Sequence, residues 1–127
     1  MSDFNAVISI VALSVGLVAC VDPCENTVLS ELTGPTRNRR AVVFERSCGA
    51  TTDFSTHVSV LNADDARPKS AGNIFIADSD HGGGKDMIVT APWAAPDQLV
   101  VRYPARARIF RRETQVNRIA VTYETRP

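Results

Sequence analysis

Between Asp78 and Asp86 the chain reads Asp-Ser-Asp-His-Gly-Gly-Gly-Lys-Asp. Asp78, Asp80 and Asp86 offer carboxylate oxygens. The three consecutive glycines let a backbone wrap tightly, as calcium and magnesium loops require. His81 could add a nitrogen for a transition metal. The spacing departs from the D-x-D-x-D-G-x5-E loop, because no Glu stands at the closing position. A solvated hairpin loop made of turn formers accounts for the same composition. The expectation is therefore no metal site and no cofactor, with a small metal-dependent hydrolase on this loop as the alternative.

Arginine is the second chemical resource. Twelve of the 14 basic residues are Arg, and seven of them lie within the last 26 residues, opposed there only by Glu113 and Glu124. If residues 106–113 form a strand, the two-residue period puts Arg106, Arg108 and Arg112 on one face. Guanidinium forks grip carboxylate or phosphate in two places at once, so such a face could hold an anionic partner or lipid headgroups. The plainer alternative is a solvated face paired with acidic residues upstream. A third candidate is Cys48-Gly49-Ala50-Thr51-Thr52, whose small residues and hydroxyls could form an oxyanion-type nest. The two histidines, His57 and His81, stand at no diagnostic distance from it. A turn with Thr side chains bonded to the backbone explains it more simply, and no catalytic residue is assigned.

Residues 6–19, AVISIVALSVGLVA, carry no charge. A membrane-spanning helix needs about 20 apolar residues, so this run suits the apolar region of a secretory signal better. It ends in Leu17-Val18-Ala19-Cys20, which resembles a bacterial lipobox. The resemblance implies cleavage after Ala19 and acylation of Cys20, so residues 1–19 form a lipoprotein signal and residues 20–127 a single domain. Val21, where inner-membrane lipoproteins favour Asp, points to the outer membrane of a Gram-negative cell. The pattern is broken in one place: residues 1–5 contain no Lys or Arg, and Asp3 is acidic. A retained signal anchor and a buried core segment are the alternatives.

With Cys20 assigned to lipid, Cys24 and Cys48 remain, and an exported protein most simply joins them. That bridge would contribute roughly 3 kcal/mol by restricting the unfolded chain. The spacing of Cys20 and Cys24 lacks the second ligand pair that zinc requires.

The elements that must carry these residues are short and β-branched. No stretch after Cys20 sustains helical periodicity. Strands are expected at 27–32, 40–46, 56–61, 73–78, 86–90, 98–103, 107–112 and 116–124. Val58 and Val60 alternate with His57 and Ser59; Leu99, Val101 and Tyr103 share a face, as do Ile119, Val121 and Tyr123. Residues 34–38, 62–72, 79–85 and 91–96 break the runs with Gly, Pro and polar residues. The fold class is all-β: an antiparallel sheet or small sandwich of hairpin-connected strands. At 127 residues, 44% hydrophobic, the chain suffices for one packed domain. Its formal net charge of zero leaves no field to attract nucleic acid.

The segment Phe44-Glu45-Arg46-Ser47-Cys48-Gly49-Ala50-Thr51-Thr52 resembles the F-E-R-x-C-G-A-T-T core of a family of small bacterial proteins of unknown function. Residues Asn73-Ile74-Phe75-Ile76-Ala77-Asp78, the glycine turn at 81–84, and Arg108-Ile109-Phe110-Arg111-Arg112-Glu113 are similar to further segments of that family. The likeness spans about residues 24–124 and implies no activity. Gly34-Pro35 departs from the family's first turn. The sequence thus predicts a lipid-anchored envelope protein, bound to the membrane by its anchor, that binds or supports rather than catalyses. Its partner would be another envelope protein or an anionic ligand.

Overall fold

A computed structural model describes residues 23–49, 54–79 and 87–127. The leader, Cys20, Ala50, Thr51, Thr52, Asp80, His81 and Asp86 lie outside the described residues. Among the described residues nine strands run in order: β1 (Glu25–Thr33), β2 (Arg39–Ser47), β3 (Ser55–Asn62), β4 (Phe75–Asp78), β5 (Trp93–Ala95), β6 (Gln98–Pro104), β7 (Arg108–Arg112), β8 (Gln115–Val116) and β9 (Ile119–Arg126). They form two sheets, β1-β2-β3-β4-β7 and β5-β6-β9-β8, facing each other as a sandwich.

The alternation of apolar residues builds the interface between the sheets. Ala41 and Val43 of β2 pair with Val60 and Val58 of β3 and point inward, as does Phe75 of β4. Leu99, Val101 and Tyr103 of β6 and Ile119 and Val121 of β9 meet them from the second sheet. Phe75 is the hub, with its ring centroid 5.1 Å from Tyr103 and 5.9 Å from Tyr123. Tyr123 also bridges the sheets by hydrogen bonding. Its hydroxyl is shared between the carbonyls of Ile74, at 3.0 Å, and Glu113, at 2.5 Å. Burial, followed by the charges of Arg112, Glu113 and Tyr103, sets its acidity, and the net effect pushes its pKa up to about 12. Replacing Tyr123 by Phe removes the donor to the Glu113 carbonyl, while the Ile74 carbonyl keeps the Glu113 N–H at 2.8 Å, and we expect a loss of about 1 kcal/mol in a urea titration. An unchanged midpoint would assign Tyr123 to packing alone.

Three details depart from the expectation. First, β6 and β9 pair in parallel, with Leu99 opposite Val121 and Val101 opposite Tyr123. Parallel neighbours need a crossover, and here the chain leaves the second sheet after β6, joins the first as β7 and returns through β8. Second, the run expected at 116–124 is a hairpin: Asn117 and Arg118 both have positive φ, 45° and 67°. Two such residues make the tight turn that matches strand twist. Third, the strand expected at 86–90 is absent from its described part, residues 87–90, where only Thr90 bridges Arg102. The strand lies instead at β5, between Pro92 and Pro96. Prolines are tolerated there because β5 is an edge strand.

A polar strap covers the outer face of the first sheet. Val42 and Phe44 on this face are fully buried although they point away from the sandwich core. Residues 63–74 cross over them. Asn26 donates to the carbonyls of Pro68 and Ser70, both at 2.9 Å. Arg46 donates to the carbonyl of Lys69 at 3.2 Å and to the side chain of Asn26 at 2.8 Å. Asn73 forms a two-way amide pair with the backbone of Val60, at 2.9 and 2.8 Å. That side chain takes the place of a strand partner, which explains why β4 begins at Phe75 and not at Asn73.

Candidate functional site

Cys24 and Cys48 form a disulfide at the open end of the β1–β2 hairpin, one step beyond the Glu25–Ser47 pair. The register brings the two cysteines opposite each other, so the bond closes a frame the strands already define. Cys48 is therefore a structural half-cystine and not a thiol nucleophile. Reduction releases about 25 residues of loop, and we expect a cost of about 2–3 kcal/mol. Chemical denaturation with and without a reductant measures it; coincident curves would contradict this.

His57 is the one described ionisable side chain held in a pair that looks catalytic. It lies on β3, 3% exposed, stacked on Phe44 with ring centroids 5.2 Å apart. Its Nε2 is 2.7 Å from the Ser55 hydroxyl. Its Nδ1 accepts the Gly72 N–H at 2.8 Å. An imidazole that accepts at Nδ1 while neutral carries its proton on Nε2, so His57 donates to Ser55 and cannot remove the serine proton. Burial lowers its pKa to about 4, aided by the positive charges of Arg46 and Arg111, which keeps the ring neutral. The pair locks the strap and does not activate a nucleophile. A fluorophosphonate probe should leave Ser55 unlabelled at neutral pH, whereas stoichiometric labelling would reverse the tautomer assignment.

The arginine face expected from spacing does not assemble. β7 begins at Arg108, and Arg106 sits in the turn before it. Within β7, Ile76 pairs with Arg111 and Ala77 with Ile109, so Phe110 is an extra, bulged residue. A bulge reverses the alternation. Arg108 and Arg111 therefore share the strap side, while Arg112 turns to the second sheet, 4.6 Å above the Tyr123 ring. Arg108 is held in a two-point pair by Asp78, at 3.0 and 2.7 Å. Arg111 donates to the Gly72 carbonyl at 3.2 Å. Arg108 and Arg111 thus have internal acceptors, and Arg112 has an aromatic face.

Asp78 belongs to that ion pair. Among the described residues no three His, Cys, Asp or Glu side chains converge as a metal-ligand set. A shallow groove lies between the two sheets at the β1 edge, lined by Leu29, Ser30, Glu45, Thr56 and residues 87–90. Sequence reasoning missed both this groove and the strap, because each is formed by a loop segment whose position no local periodicity encodes. The polar run at 62–73 carried one usable signal: Asn73 beside an apolar strand start is a residue type that caps exposed backbone.

No family model matches the chain, and no curated protein or solved structure matches it.

Proposed function

We propose that the protein is an exported, lipid-anchored β-sandwich that serves the bacterial cell envelope as a binding or supporting module. The observation that carries this reading is the Cys24–Cys48 disulfide. Such bonds persist in oxidising compartments outside the cytosol. With those two cysteines joined, Cys20 remains for the acyl chain that the lipobox-like Leu17-Val18-Ala19-Cys20 would receive. Two or more acyl chains hold a domain firmly to a bilayer, and a single chain only marginally. The neutral, donating state of His57 favours a binding role over hydrolysis. The resemblance to small bacterial proteins around Phe44–Thr52 agrees with this reading without adding an activity.

Mass spectrometry of the N-terminal peptide from a membrane fraction tests the proposal. An acylated Cys20 at the N-terminus supports it. An unmodified peptide beginning at Met1, recovered from the cytosol, overturns it. Calcium, magnesium or zinc should leave the melting temperature of the purified protein unchanged. A shift would revive hydrolysis on the loop at 78–86.

A further inference from the structure

The first sheet ends in two strands of opposite charge. β1, at one edge, carries Glu25 and Glu31 and no basic residue. β7, at the other edge, carries Arg108, Arg111 and Arg112 and no acidic residue. Each edge also exposes large apolar side chains: Leu29 at 56% and Leu32 at 46% on β1, Ile109 at 38% and Phe110 at 58% on β7. Among the described residues no strand pairs with the outer side of either edge. An unpaired edge is a template for another strand.

We infer that the two edges recognise each other between copies of this chain, with β7 of one molecule beside β1 of the next. Charge selects this arrangement. A two-fold pairing of β7 with β7 opposes Arg to Arg, and one of β1 with β1 opposes Glu to Glu. Like charges placed opposite across strands are destabilising, and opposite charges are favourable. The four antiparallel pairings from β1 to β7 leave those two strands running in the same direction. A contact that continues the sheet with both second sheets on the same side is therefore parallel, and because it joins different surfaces it propagates head to tail into an open chain or a ring.

The existing contacts limit its strength without blocking it. Glu31 pairs with Arg67 at 3.4 Å, but the Arg67 side chain is 71% exposed, and such surface pairs exchange readily. The Trp93 indole occupies the Leu32 carbonyl at 2.8 Å, which leaves residues 25–30 as the longer open stretch. The irregularity between Val28 and Ser30 keeps the regular part of that stretch short, close in length to β7. The association is accordingly weak and salt-sensitive, suited to molecules concentrated on a surface. The inference does not rest on the anchor, since both edges are present in the free chain.

Sedimentation velocity of the full chain at increasing concentration tests it, in one detergent throughout if the chain is acylated. Species growing beyond a dimer at low salt, and receding at high salt, are expected. The variants Glu25→Lys/Glu31→Lys and Arg111→Glu/Arg112→Glu should each associate roughly tenfold or more weakly by themselves. Mixed together they restore opposite charges across the junction, and association returns. Recovery on mixing also shows that both variants are folded. A chain that stays monomeric at low salt overturns the inference. So does a closed dimer, or association that both variants retain.

Discussion

Replacing Gly72 by Ala should cost about 4 kcal/mol and lower the melting temperature by about 15–20 °C. A methyl group at this position would lie 2.7 Å from the Phe75 carbonyl oxygen, 2.8 Å from the Val58 carbonyl oxygen and 3.0 Å from the His57 Cβ. The two oxygens belong to paired strands and cannot withdraw without breaking the β3–β4 ladder. The strap must lift instead. Lifting it lengthens the bond from the Gly72 N–H to His57, at 2.8 Å, and the one from Arg111 to the Gly72 carbonyl, at 3.2 Å. Overpacking and the lost hydrogen bonds add in the same direction. Gly49 provides the contrast. Its φ of 135° strains any side chain, but no atom lies within 4 Å of an added methyl. Gly49→Ala should therefore cost only about 1 kcal/mol. Thermal melts of the two variants measure the difference, and equal shifts would show that strap packing is not the restraint.

Acid should loosen the same lock. The His57 pKa falls from 6.5 to about 4 on folding, first through burial and then through Arg46 and Arg111. The unfolded chain therefore binds a proton that the folded chain refuses. Stability from this group is complete above about pH 6.5. It declines as pH falls toward 4, and levels off below that, for a total of about 3 kcal/mol. Protonation places a hydrogen on Nδ1, which then faces the Gly72 N–H donor instead of accepting from it. Carboxylates titrate in part of the same interval, so the measurement compares variants. His57→Gln keeps an acceptor for Gly72 but does not titrate. Urea midpoints at about pH 7 and about pH 4 should separate strongly in the native chain and much less in the variant. Parallel pH dependences in the two proteins would falsify the assignment.

These two predictions rest on residues of unequal visibility. Val58 and Val60 alternate with His57 and Ser59 in the sequence, and the structure keeps that division of faces. Alternation alone leaves the polar face in water. His57 and Ser59 are buried because a loop from the other end of β3 folds back across them. Its anchors, Asn26, Arg46 and Arg111, come from three other strands. The arginines show the same limit. Their concentration near the C-terminus is plain, but the bulge at Phe110 divides Arg108 from Arg112. A bulge arises from pairing with a neighbour, and neither period nor composition records it.

The residue pattern alone thus determined the all-β class, the inward apolar rows of β3, β6 and β9, and the pair of cysteines that become a disulfide. Each follows from local alternation or from counting. Tertiary structure decided the parallel β6–β9 pair, the edge strand between two prolines, the strap over a neutral histidine and the opposite charges of the two sheet edges. Each of these depends on which distant segments meet, and the free energy of such meetings lies in contacts and hydrogen bonds between residues far apart in the chain.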